Sequence, residues 1–134
     1  MYRRDLLTAE IQKLAQVLAR ILGLKNENRD DEAAETFSES LRAFFDLTAA
    51  QLVLPENEFE ALLDERNFEA GKVDYLGQLM HVQFDPALKT GENIALAKNL
   101  LLLYALLENK HHLQSFGNLS IQQQLKNFLS DADH

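Results

Sequence analysis

The sequence predicts an all-α fold of stacked antiparallel helix hairpins, with five main helices and two short ones. Three observations carry that prediction. Apolar residues recur at spacings of three and four, the period of a helix stripe, in most segments of the chain. No run alternates apolar and polar residues for long enough to make a strand. And residues 92–109, ENIALAKNLLLLYALLEN, carry apolar side chains on nearly every face. Such a helix has to be surrounded by others. It also falls short of the roughly 20 apolar residues that cross a bilayer. Residues 92–109 are therefore the predicted central helix.

The first helix is predicted over 2–25. Leu7, Ile11, Leu14, Leu18 and Ile21 form one stripe, which Leu6, Ala15, Val17 and Leu22 widen. Its other side holds Arg3, Arg4, Lys13 and Arg20, a locally basic face whose plain use is pairing with acidic neighbours. Gly23 and the Lys25-Asn26-Glu27-Asn28 run end it. Asn28 is the predicted N-cap of the second helix, which starts with Asp30, Asp31 and Glu32 in its favourable first turn. That helix reaches about Asp46 and turns Ala34, Phe37, Leu41, Phe44 and Phe45 inward. The short link makes these two helices a hairpin.

Thr48 and Gln51 form a capping box, with Leu47 and Leu52 as its hydrophobic staple, so a turn or two of helix runs to Pro55. A second short helix covers 56–66, with Phe59, Leu62 and Leu63 inward. Asn67 or Phe68 opens the next long helix, which runs to about Phe84 on Val73, Leu76, Met80 and Phe84. Gly77 lies inside it, at a cost of about 1 kcal/mol relative to Ala. Close approach of a neighbouring helix is the predicted compensation. Asp85-Pro86 breaks the helix, and 87–91 connect it to the central one. A turn around Gly117 follows. Ser120 and Gln123 form a second capping box for a last helix over 121–130, which buries Ile121, Leu125, Phe128 and Leu129.

The chain has 134 residues, enough for one domain over 1–130 with a disordered tail at 131–134. A chain of that size buries about two-thirds of its unfolded surface without a disulfide or metal. It contains no cysteine, which removes disulfides, thiol catalysis and Cys-ligated zinc. The net charge of −8 disfavours nucleic acid and anionic membranes as partners. Glu10, Gln12, Lys13, Gln16 and Arg20 interrupt any secretory-type apolar core, so the expected location is cytoplasmic.

Two resemblances bear on the fold. Ala34, Phe37 and Leu41 recur, 63 positions on, as Ala97, Leu100 and Tyr104, a small-and-large pattern that resembles tetratricopeptide (TPR) hairpins. The chain lacks that family's Trp-x-x-Leu-Gly-x-x-Tyr segment and its period of about 34 residues. The opening Met1-Tyr2-Arg3-Arg4-Asp5-Leu6-Leu7, with Ile11, Leu14, Ala15, Leu18, Ala19, Ile21 and Leu22, resembles the start of an uncharacterised bacterial all-helical family. Asp31-Glu32-Ala33-Ala34 and the Leu-rich final hairpin extend that resemblance. It implies a bacterial source and a TPR-like fold, and it supplies no catalytic residue.

The search for chemistry returns no catalytic, cofactor-binding or metal residue. Lys89-Thr90-Gly91 has P-loop letters in the wrong order. Glu108-Asn109-Lys110-His111 has the Glu-x-x-His spacing of a di-iron bundle, but the comparable Gln78-Leu79-Met80-His81 puts Gln in place of Glu. His111 and His112 point about 100° apart on a helix. His81, beside Met80 and Val82, reads as a partly buried structural histidine. The function predicted is a non-enzymatic protein-protein interaction or scaffolding module, with no cofactor. A homodimer through the first helix is a further possibility. The competing reading is a small-molecule-binding or small enzymatic domain with a pocket around Tyr75, His81 and Tyr104.

Overall fold

A computed structural model of the chain describes the backbone of residues 2–112 and 116–132, and the side chains of 9–112 and 117–132. The described residues are all-helical and contain no strand. The chain gathers into two compact units, Met1–Ala49 and Ala50–His134.

In the first unit, α1 (Tyr2–Asn26) packs against α2 (Asp30–Ser40) across a short turn. The apolar stripe of α1 turns inward in part: Leu14, Ile21 and Leu24 are buried and Ile11 and Leu18 are half-buried, but Ala15 and Leu22, expected to widen it, are exposed. Leu6, Leu7, Arg3 and Arg4 have side chains outside the described set. The turn is built differently from the prediction. Asn28 does not cap α2; it sits left-handed at φ 61° and closes α1. The Arg29 amide donates to the Leu24 carbonyl at 2.8 Å and the Asn28 amide to that of Lys25 at 3.1 Å, the two bonds of a Schellman ending. Arg29 takes the N-cap position without a side-chain cap. Its guanidinium donates instead to Glu32 and Glu27, and the bond to Glu32 holds that carboxyl below its ordinary pKa.

The second helix was expected to run unbroken to Asp46. It widens into a π segment over Leu41–Phe45, where the Leu47 amide reaches back to the Leu41 carbonyl at 3.2 Å. The buried residues show why. Ala33, Phe37, Leu41 and Phe45, all buried, are spaced strictly by four. Fours precess by about 40° per step around an α-helix, and a wider turn winds the stripe back. The same stripe corrects one expectation: Ala33 faces inward and Ala34 is exposed. Ala34 therefore does not share the buried setting of Ala97, its counterpart in the repeat pattern.

A 3-10 turn over Ala49–Val53 starts one residue before the second unit, at the first capping box of the sequence. Then come α3 (Glu56–Arg66), α4 (Ala70–Gln83), α5 (Gly91–Asn109) and α6 (Phe116–Ala132). The described residues thus hold six α-helices rather than five main and two short ones, because 56–66 forms a helix of three turns. Asn67 does not open α4. It ends α3 in a left-handed conformation, φ 50° and ψ 48°. No glycine in the described residues has positive φ, so asparagine does the task that glycine usually does. Asn67→Ala is expected to lower stability by about 1 kcal/mol, and Asn67→Gly not at all. Urea midpoints of the two variants against the parent measure this.

The central helix is α5, which packs on α3, α4 and α6. It buries Leu96, Ala97, Leu100, Leu103, Tyr104 and Leu107. The close approach expected at Gly77 is present: a Cβ there would lie 2.9 Å from Leu103 Cδ2 and 3.4 Å from Tyr104 Cε1. α4 stops before Asp85-Pro86 as predicted. Asn93 then holds the connection: its Nδ2 donates to the carbonyls of Asp85 at 2.6 Å and Leu88 at 2.8 Å. Thr90 caps α5 by accepting from the Asn93 amide at 3.2 Å.

The last helix departs most from expectation. Ser120 lies inside α6 and is no N-cap, since the helix already runs from Phe116. Gly117 and Asn118 do not break it, because the first turn of a helix makes few backbone bonds for them to weaken. The helix also continues through Asp131 and Ala132, past the predicted end; residues 113–115, 133 and 134 lie outside the described set. Leu125 and Phe128 are buried, and the Phe128 ring meets Phe84 edge-on with centroids 4.8 Å apart.

Candidate functional site

The pocket expected around Tyr75, His81 and Tyr104 has a different character. Tyr104 is a core residue, 1% exposed, while Tyr75 and His81 are half-buried. His81 Nε2 lies 3.2 Å from Gln124 Oε1, a structural link between α4 and α6. The Tyr104 hydroxyl is sealed in and has no hydrogen-bond partner. Burial first, and the Asp74 carboxylate second, push its pKa above the ordinary value. A raised phenol pKa makes a contribution to stability that is whole below about pH 10, the unfolded value, and is lost as the pH climbs above it. Tyr104→Phe is expected to gain about 1 kcal/mol at neutral pH by removing the unpaired hydroxyl. It should also flatten the fall in stability above about pH 10. Chemical denaturation at neutral and alkaline pH tests both.

The Glu-x-x-His segment is likewise spoken for in part. Gln122 Nε2 donates to Glu108 Oε1 at 2.9 Å, and His112 sits left-handed beyond the end of α5 at φ 55°. Among the described residues no three His, Asp or Glu side chains cluster as a metal would need. Leu14 and Ile21, central to the stripe on α1, are consumed inside the chain at 1% and 0% exposure.

Openness is found elsewhere. The neighbours of α5 do not enclose it: Ile94, Ala95, Leu101, Leu102 and Leu106 are only half-buried, and Lys98 and Ala105 are exposed. This corrects the expectation of a helix shielded on all sides. At the N-terminal end of that face lies a groove of about 420 Å³. Val53, Leu54 and Pro55 form one wall and Ile94 and Ala95 the other, with Gly91, Glu56 and Lys98 also lining it. A trough of about 280 Å³ along α2 and the π segment after it is lined by Glu35, Ser38, Glu39, Arg42 and Ala43, all from one stretch of chain.

Asn99 lines the larger groove and is fully buried. Its Nδ2 donates to the carbonyls of Leu52 at 2.9 Å and Leu54 at 2.8 Å. These bonds fix the segment before α3 against α5. They also fix which way the amide faces, because two carbonyls require the NH₂ group. Its Oδ1 is left buried with no partner. Sequence reasoning passed over this residue. The available signal was Lys98-Asn99, the polar pair inside the apolar stretch of 94–107. A polar residue on a helix that must be buried has to be bonded to something.

The fold and groove define an all-helical protein in which no described helix is long and apolar enough to cross a membrane. No known protein family, curated protein or solved structure matches this chain.

Proposed function

We propose that the chain is a non-enzymatic interaction or scaffolding module of stacked, TPR-like hairpins that works in the bacterial cytoplasm. The observation that carries the reading is the half-open apolar face of α5 with its groove. A surface of Ile94, Ala95, Leu101 and Leu102 gains by being covered, at about 25 cal/mol per Å² of apolar area. The N-terminal resemblance supports the bacterial setting, and the helical hairpins support the TPR-like description. A pocket for a small molecule around Tyr104 has less support, because that hydroxyl is closed off.

The test is a paired capture. The tagged protein and an Ile94→Asp variant are used as bait in extract of the source organism, and bound proteins are identified by mass spectrometry. A partner held by the parent and lost by the variant, with both baits showing the same helical circular dichroism, is the expected result. Equal capture by both baits, or none by either, overturns the reading.

A further inference from the structure

The first unit uses one side of α1 and leaves another open. Leu14, Ile21 and Leu24 are buried, and α1 packs on α2. At 100° per residue, Leu18, Ile11, Leu22, Ala15 and Ala19 follow one another around about 100° of the helix surface next to that buried side. None of the five is buried: Leu18 and Ile11 are half-buried, Ala15 and Ala19 are exposed, and Leu22 is 45% exposed. The same half of the helix carries no charge. Glu10, Lys13, Arg20 and Lys25, the charged residues of 9–26, all fall in the other half. In a chain that is 25% charged, a water-facing half-helix of this length without one charge is a surface kept for contact.

We propose that this face joins two copies of the chain in a homodimer, through an antiparallel pair of α1 helices. Charge points to a second copy. A basic or acidic partner finds no counter-charge on the face. A second copy carries the same net charge of −8, is repelled elsewhere, and can approach where its own charge is absent. The side chains are also complementary to themselves. Ile11, Ala15, Leu18 and Leu22 are spaced four, three and four, the spacing of a seam between paired helices. About a two-fold axis between Ala15 and Leu18, Ile11 meets Leu22 of the second copy and Ala15 meets its Leu18. Small then faces large at the centre and the layers fill evenly. A parallel pair would set Ala15 on Ala15 between two bulky layers and leave a gap. The antiparallel pair also aligns the helix dipoles favourably. The seam takes Ile11 and Leu18 from the stripe of the sequence but replaces its Leu14 and Ile21, spent inside the chain, with Ala15 and Leu22. It is about 16 Å long from Ile11 to Leu22, so the contact belongs with small, weak interfaces. This goes beyond the reading of the α5 face: each dimer carries that groove twice, and a partner with two docking segments is held by both.

Sedimentation equilibrium of the full chain, up to about 300 µM to cover weak contacts, is expected to rise from 15.3 kDa towards twice that mass. Added salt should tighten the dimer, because it screens the repulsion between like-charged copies and the seam has no ion pair to lose. Leu22→Glu and Ala15→Glu, both at exposed positions, should each weaken it about tenfold or more with unchanged circular dichroism, since the two-fold axis applies every change twice. Lys13→Gln, on the far side of α1, should leave it as it is. Orientation is read by disulfide cross-linking under oxidised glutathione, since the chain has no cysteine of its own. A mixture of Ile11→Cys and Leu22→Cys proteins should cross-link faster than either protein alone, because only the antiparallel pair brings those positions within disulfide reach. A mass of 15.3 kDa at every concentration, a dimer loosened by salt or indifferent to both glutamates, or faster cross-linking of either protein alone would overturn the proposal.

Discussion

Leu100→Asp is expected to leave the second unit unfolded at neutral pH, and Leu102→Asp to leave it folded with a loss of about 1–2 kcal/mol. The two leucines stand two residues apart on the same apolar run, and no sequence pattern ranks them. Leu100 is 0% exposed, whereas Leu102 belongs to the half-open face of α5. An aspartate at 100 puts a carboxylate where neither water nor a partner can reach it. The cost is several kcal/mol even after relaxation, and it adds to the loss of a buried leucine, about 2–5 kcal/mol. Against a typical net stability of 5–15 kcal/mol, little remains. At 102 the carboxylate reaches solvent. Thermal melts followed by circular dichroism separate the cases: a Leu102→Asp protein as disordered as Leu100→Asp would show that α5 has no open face.

The second large effect falls on Asn99. Asn99→Asp replaces an NH₂ group that serves two carbonyls with an oxygen that repels them. It strips the Leu52 and Leu54 carbonyls of their donor and buries a charge among acceptors. Each lost bond to a buried group costs about 1–3 kcal/mol, so a loss of about 3–5 kcal/mol is expected at neutral pH. The pH dependence follows from the sign of the shift. Burial and the facing carbonyls raise the folded-state pKa of the new carboxyl above its unfolded value of about 3.9. The variant is therefore penalised as the pH rises above that value and relieved below it, where the protonated acid donates one hydrogen bond. Asn99→Asp should lose less relative to the parent at about pH 4 than at pH 7. A deficit that stays constant between those pH values would mean that Asn99 does not hold the segment before α3 through its NH₂ group.

Helix ends were legible only in part, and the failures share a cause. Asn28, Asn67 and Ser120 all have side chains that cap helix N-termini, and the sequence places Asn28 and Ser120 as caps and Asn67 or Phe68 at a helix start. In the structure Asn28 and Asn67 end helices, and Ser120 is internal. Asparagine suits both ends of a helix, as an acceptor at the start and in left-handed geometry at the finish. Which end it serves depends on where the apolar stripe of the neighbouring helix begins. The break at Asp85-Pro86 was read correctly because proline acts through local sterics that no packing overrides. The groove was not legible. Its walls come from residues 53–55 and 94–95, and only folding brings those together.

What the sequence determined by itself was periodicity: an all-helical chain, a stripe on each helix, and 92–109 as the most apolar and most central element of its surroundings. These follow from local chemistry, since helix period and apolar content belong to neighbouring residues. Tertiary structure alone decided which leucines of α5 meet water, that the second helix widens into a π turn, and that Asn99 ties down a distant segment with one oxygen to spare. Those depend on how much surface the neighbouring helices have to offer, a quantity shared among elements far apart in the chain.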